Sequence, residues 1–239
     1  MGFFPDNYRA ASASTKTDSP GVNEKYLELS GRYFKDGESH VLRPCGTFDT
    51  GHVIAGFSYF TVEGRPKRSA KYPENYQDDV SLTYQAKQQN LDRSDPANLD
   101  KPKYFLTFCA YSKERSDFVI VTLDKKTARE QFEEILSMED YDFLPSGMAN
   151  FYLTIKRKGE QLNTSYQVTP TLKAPTKADE KRWEEISQSI WLPALYDGAD
   201  PFAGKPAGAR PEGLPPTHRD ALGADIEVAT ASAMPSDGW

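Results

Sequence analysis

Cysteine, histidine, long apolar runs and net positive charge are all scarce in this chain, and each scarcity removes a class of protein. The two cysteines, Cys45 and Cys109, stand far apart with no Cys-x-x-Cys pair. That spacing indicates neither a disulfide scaffold nor a zinc ribbon, and both are expected as buried thiols. The three histidines, His40, His52 and His218, form no His-x-x-x-His pair, so the usual metal-ligand spacing is missing. No Gly-rich phosphate loop or Gly-x-Ser-x-Gly elbow occurs, and the adjacent carboxylates Asp78 and Asp79 fall in a polar loop without a Glu-x-Lys companion. The chain is therefore read as a non-enzyme with no catalytic residue, no metal site and no cofactor.

No run approaches the roughly eighteen apolar residues of a membrane span, and Met1-Gly-Phe-Phe-Pro lacks the basic start of a signal peptide. The expectation is a cytoplasmic protein with no membrane partner. A formal net charge of −6 argues against holding duplex DNA by bulk positive charge, but leaves room for a local basic groove.

What is present falls into three parts. Residues 1–24 are rich in Ser, Thr, Ala, Asn and Asp without a hydrophobic period and are expected as a flexible arm. Residues 25–202 form the expected domain. Strands are predicted at Tyr26 to Leu29, Ser39 to Cys45 (ended with the help of Pro44) and His52 to Val62. Lys67 to Pro102 is polar and tyrosine-dotted with no period, so 69–102 reads as a long loop. Lys103 to Tyr111, a polar turn and Phe118 to Leu123 make the clearest hairpin, and Asp124 then stands where a helix N-cap belongs. A strand at Asn150 to Lys158 alternates Phe151, Leu153 and Ile155 against Tyr152, Thr154, Lys156 and Lys158. Thr164 to Thr169 returns beside it, with Pro170 ending the sheet, and Lys177 to Leu195 fits a packing helix. Residues 203–239 read as a disordered tail with three basic and five acidic residues, hence only mildly acidic.

Strands with one helix inserted before the last two is the order of the OB-fold, a Greek-key barrel whose strands and loops receive oligonucleotides. The fold class expected is therefore mostly β: an OB-like barrel with one inserted helix, a C-terminal packing helix and disordered termini. Arg65, Lys67, Arg68 and Lys71 fall together with no acid between Gly64 and Pro73, and Tyr72 and Tyr76 are interleaved. Cations neutralise phosphates while tyrosine faces accept bases, which suits an open single strand. The same pattern also describes a solvated loop whose tyrosines pack back on the barrel. Lys156 and Lys158 end a strand that also carries Tyr152. Phe57, Tyr59, Phe60 and Tyr111 supply aromatics on the central strands, about half of them pointing inward by alternation. Asp237 and Trp239 place an acid and a large ring at the tip of the tail, a form that inserts into a partner's pocket.

Several stretches together resemble the single-stranded-DNA-binding proteins of tailed bacteriophages: Tyr26-Leu-Glu-Leu, Gly56 to Arg68, Lys103 to Leu136, Asn150 to Pro170 with Arg157-Lys-Gly159, and Ala194 to Phe202. The resemblance implies an OB-fold and sequence-tolerant coating of single strands in phage DNA replication and recombination, in the cytoplasm of an infected bacterium. It also implies a tail that recruits replication or recombination proteins such as a polymerase, helicase, primase or nuclease. In related sequences aromatics often stand at the places of Phe57 and Phe60, and basic residues at Arg65 and Arg68. The chain departs from them in its 69–102 insertion and its weakly acidic tail. The competing reading is a protein-interaction or virion-structural barrel that binds no nucleic acid.

Overall fold

The computed structural model describes residues 23–30, 32–159 and 163–209. Most of the N-terminal arm and the tail from residue 210, with Asp237 and Trp239, lie outside the described residues. Eight strands form one mixed sheet: β1 (Tyr26–Glu28), β2 (Ser39–Cys45), β3 (Val53–Phe60), β4 (Pro66–Ser69), β5 (Lys103–Ser112), β6 (Asp117–Leu123), β7 (Phe151–Lys158) and β8 (Ser165–Leu172). Among the described residues there are four α-helices: α1 (Tyr76–Asp79), α2 (Tyr84–Gln88), α3 (Lys126–Leu136) and α4 (Lys177–Ser187). The expected mostly-β architecture is what the chain adopts.

The order is β1-β6-β5-β2-β7-β8, with β3 on β5 and β4 on β3. β5 is the hub. Its C-terminal part pairs with β2 through Cys45↔Cys109, and its N-terminal part pairs with β3 from Phe108 back to Lys103. β6 takes the other edge. β3 and β4 therefore project past β2 as a ribbon at the N-terminal end of β5.

The sequence led us to expect a closed barrel, whereas the sheet is open: among the described residues no pairing joins β6 to β8. Both ends of the order are guarded instead. β1 runs parallel along β6. On the far side, the Gln131 side chain of α3 accepts the Val168 N–H at 2.6 Å, so that group points away from β7. Two residues on, Pro170 has no N–H to offer on the same edge. It sits inside β8 opposite Leu153 rather than ending the sheet, because a proline on an outer edge removes no ladder bond.

The strands of the hairpin read as near-continuous apolar runs because both sheet faces are covered. On the inner face Leu106, Phe108, Val119, Val121, Leu153 and Ile155 pack with Phe132 and Ile135 of α3. On the outer face Ile54, Phe105, Cys109, Phe118 and Ile120 lie under Trp183, Ile190 and Leu192. Cys45 and Cys109 are both buried and unbridged, as expected, and burial pushes both thiols up.

Other elements also depart from the sequence expectation, β4 (Pro66–Ser69) among them, where a strand break and loop were expected. Asp124 does not cap α3; Lys125 holds the cap position without a side-chain bond, and the Asp124 carboxylate accepts from Lys125 Nζ at 3.0 Å. α4 starts on a capping box between Thr176 and Asp179 but stops at Ser187 instead of reaching Leu195. Pro193 explains the stop: within a helix it lacks a donor and clashes one turn back. The chain turns and buries Ile190 and Trp191 ahead of a 3-10 turn at Leu192–Tyr196, whose first residue is buried as well. The 69–102 insertion carries α1 and α2, tied down by the bridges Thr61↔Val80 and Leu82↔Leu99 and by Arg93, which donates to the Gln77 and Val80 carbonyls.

Candidate nucleic-acid interface

The β3–β4 ribbon has the register Phe57↔Ser69, Ser58↔Arg68, Tyr59↔Lys67 and Phe60↔Pro66. Gly56 makes this close pairing possible, since a Cβ there would stand 2.1 Å from the Ser69 carbonyl oxygen. Alternation sends Phe57, Tyr59 and Lys67 to one face and Ser58, Phe60 and Arg68 to the other.

On the first face aromatic rings meet edge-on, Phe57 to Tyr72 at 5.2 Å and Phe57 to Tyr104 at 5.5 Å, with Tyr72 and Tyr76 5.9 Å apart. Lys67 Nζ stands 6.0 Å from the Tyr59 ring centre. Arg129 of α3 lies over Tyr104 at 5.1 Å and donates to its carbonyl at 2.7 Å. Arg65, Lys67 and Lys71 are exposed and form no ion pair among the described residues. Their charge is available to a ligand.

The stacking surface differs from the expectation. Tyr72 is 44% exposed and Phe60 52%, but Phe57 and Tyr59 are each only 7% exposed. Phe57 packs against Tyr72 and Tyr104, and both it and Tyr59 lie under the ribbon as support rather than as an open stacking face. Arg68 is also committed: its guanidinium lies 5.4 Å over Phe105 and faces Glu28 at 3.7 Å.

The second basic cluster sits on β7, where Lys156 and Lys158 are exposed on the outer face. Tyr152 shares that face, yet it is buried. The Arg43 guanidinium lies 4.0 Å and Lys113 Nζ 4.2 Å from its ring centre. Arg43 cannot leave, because its guanidinium donates to the carbonyls of Ala149 at 2.8 Å and Lys173 at 2.7 Å. Tyr152, expected as a stacking face, is a packing surface here. Tyr111 is half-buried, edge-on to Phe118 at 5.5 Å and under Arg182 of α4 at 5.8 Å. Arg182 also holds Asp117 at 3.3 Å, and Asp117 holds Lys25 at 2.9 Å. Burial raises the Asp117 carboxyl, but the Lys25 ammonium, the Phe118 N–H and Arg182 outweigh it and leave it below its usual value.

The two clusters do not meet. Arg68 lies opposite Ser58, which pairs with Lys103 at the start of β5. Lys156 lies opposite Ser39, beyond the Leu42↔Ser112 pair at its end. The run of β5 between them is about 30 Å at ~3.3 Å per residue. Lys67 and Lys156 also point to opposite faces. Between the clusters, α4 and the segment through Leu192 cover the outer face.

Sequence reasoning missed Lys113, Arg129 and Arg182, each of which lies over an aromatic ring. Arg129 stood on a helix beside Ala128 and one turn from Phe132, on its buried side, and its helical position could have flagged it; the other two depend on long-range docking. Among the described residues no His, Cys, Asp and Glu group could hold a metal ion, and no helix is long and apolar enough to cross a membrane. No protein-family model, curated protein or solved structure matches the chain.

Proposed function

We propose that the chain is a sequence-tolerant single-stranded-DNA-binding protein built on an OB-type sheet, with the β3–β4 ribbon as its primary strand contact. The observation that carries this reading is the ribbon itself: Arg65, Lys67 and Lys71 exposed without ion pairs, next to the exposed Tyr72 ring. Cations that neutralise phosphates beside a ring that accepts a base serve a strand of any sequence. The OB reading is supported by the order β6-β5-β2-β7-β8 and by the placing of α3 between β6 and β7. In this reading Lys156 and Lys158 extend the contact along a longer strand, Tyr111 lies at its margin, and the tail tip with Asp237 and Trp239 recruits replication or recombination proteins.

The test is a fluorescence titration of the full chain with oligo-dT at low and moderate salt. Saturable binding that weakens steeply with salt is the expected result. Absence of a saturable change at low salt rejects the proposal. Exposed Phe60 and Val62, 52% and 47%, favour a second reading in which the ribbon docks on a protein. A Phe60→Ser, Val62→Ser variant that changes oligomer size in solution while no oligonucleotide binds would select it.

A further inference from the structure

We infer that the chain associates with a second copy of itself, the tip of the β3–β4 ribbon on one copy seating on an acidic, apolar face beside the end of α3 on the other. Two observations point there together. Charge is segregated: from Glu130 to Ile155 the chain carries six acids and no basic residue, whereas Gly64 to Pro73 carries four cations and no acid. Exposed apolar groups are segregated with it. Of the eight large apolar side chains exposed among the described residues, Phe60, Val62 and Tyr72 lie on or beside the ribbon, and Leu136, Met138 and Leu172 on the acidic face. Each surface therefore joins apolar contact area to charge, and the two charges are opposite. Glu63 at the ribbon tip is outweighed by Arg65 and Lys67, and Lys173 beside Leu172 by Glu139, Asp140 and Asp142.

The acidic face rests on packed structure. Phe151 stands opposite Leu172 across β7 and β8, so the two share one side of the sheet. Tyr141 and Phe143, both half-buried, meet the Phe151 ring edge-on at 5.3 and 6.4 Å. Leu136 ends α3, which packs on the same core through Phe132 and Ile135. Asn150 pins the connection that follows: its side-chain nitrogen donates to the Asp140 carbonyl at 2.9 Å, and its Oδ1 accepts the Asp142 N–H at 3.1 Å. Glu139, Asp140 and Asp142 are exposed and form no ion pair among the described residues. A surface fixed in advance loses little conformational entropy when a partner docks.

Within one chain the two surfaces stay apart. The ribbon leaves the N-terminal end of β5, whereas Leu172 lies on β8, with β2 and β7 between. Three strand spacings of about 4.8 Å put β8 roughly 14 Å from β5, and no ion pair joins the ribbon to Glu139, Asp140 or Asp142 among the described residues. Contact is therefore between copies. Like surfaces would set cation against cation or acid against acid, so the ribbon meets the acidic face. Arg65 and Lys67 supply the charge, and Phe60 and Val62 the apolar contact. An interface this small and this charged belongs to the weak, salt-sensitive class. The inference goes beyond the strand reading but draws on the same cations, so a strand and a second copy compete for the ribbon.

The experiment measures the average mass of the full chain by light scattering over a concentration series. At low salt the mass should climb toward that of two or more chains, and at moderate salt return to that of one. Glu139→Lys with Asp140→Lys, and separately Arg65→Glu with Lys67→Glu, should each hold the chain monomeric. An equimolar mixture of the two variants should associate again, because every ribbon then finds a face of opposite charge. A wild type that stays monomeric at every concentration overturns the proposal, as does a mixture that stays monomeric or a variant that associates like the wild type. If a variant fails to fold, amide resonances of the isotope-labelled wild type on dilution decide: Val62, Arg65, Met138 and Glu139 should shift together, and shifts confined to other surfaces, or none, overturn the contact. Oligo-dT binding by a chain that never self-associates would keep the strand reading and reject this contact; self-association without oligo-dT binding would do the reverse.

Discussion

Replacing Arg65, Lys67 and Lys71 together by alanine separates charge from fold in the proposed strand contact. All three side chains are exposed and form no ion pair among the described residues, so the substitution should leave stability within about 0.5 kcal/mol. Each phosphate contact to a single strand steepens the dependence of log affinity on log salt by about 0.7. Losing three contacts should flatten the slope by about 2. Between roughly 50 and 200 mM salt, a fourfold change, the wild type should lose about sixteen times more affinity than the variant. The assay is the oligo-dT titration repeated at several salt concentrations, with thermal unfolding as the fold control. An unchanged slope would refute the reasoning, as would weaker binding at the same slope. Arg68→Ala should flatten the slope less than any one of the three, because Arg68 already faces Glu28 and Phe105. Lys156→Ala with Lys158→Ala asks whether one strand spans the length of β5. A flattening of about 1.4 says that it does.

Gly56→Ala should push β4 off β3, since the new Cβ meets the Ser69 oxygen at 2.1 Å; a loss of about 1–3 kcal/mol in urea unfolding is expected, and no loss would mean that the ribbon pairs more loosely. Trp183→Ala removes a ring that is 3% exposed and packs 5.3 Å from Phe118, at an expected cost of about 3–5 kcal/mol; a loss below about 1 kcal/mol would show that α4 does not belong to the core. His52 bonds the Ser187 carbonyl at 2.9 Å, and burial, only partly opposed by that carbonyl, holds its ring below the usual value. The unfolded ring, with a pKa of about 6.5, binds protons more readily than the native one. Stability is therefore full above that pH and falls as pH drops through it towards the native value. Melting curves between pH 8 and 5 should show this decline for wild type and not for His52→Gln; identical curves would remove His52 as the cause.

Much of the fold was legible because local patterns carried it. β2 spans Ser39–Cys45, and the β5–β6 hairpin runs Lys103–Ser112 and Asp117–Leu123 around a polar turn, where they were expected. Alternation also put Phe151, Leu153 and Ile155 inside and Lys156 and Lys158 outside. The insertion was less legible, because α1 and α2 are too short to show a period. Periodicity needs about a dozen residues before it separates helix from loop.

The candidate site was legible only as a composition. Sequence identified the cations at Arg65, Lys67 and Lys71 and the face on which Tyr152 lies, since a charge run and a period of two are properties of neighbours along the chain. Four things were decided by tertiary structure. Arg43, fixed by distant carbonyls, covers Tyr152; the length of β5 holds the two basic clusters apart; α4 covers the outer face between them; and the sheet stays open with β1 along β6. Alternation states which side a residue faces, but what covers that side depends on segments many residues away. Their packing free energy is not written in any local window.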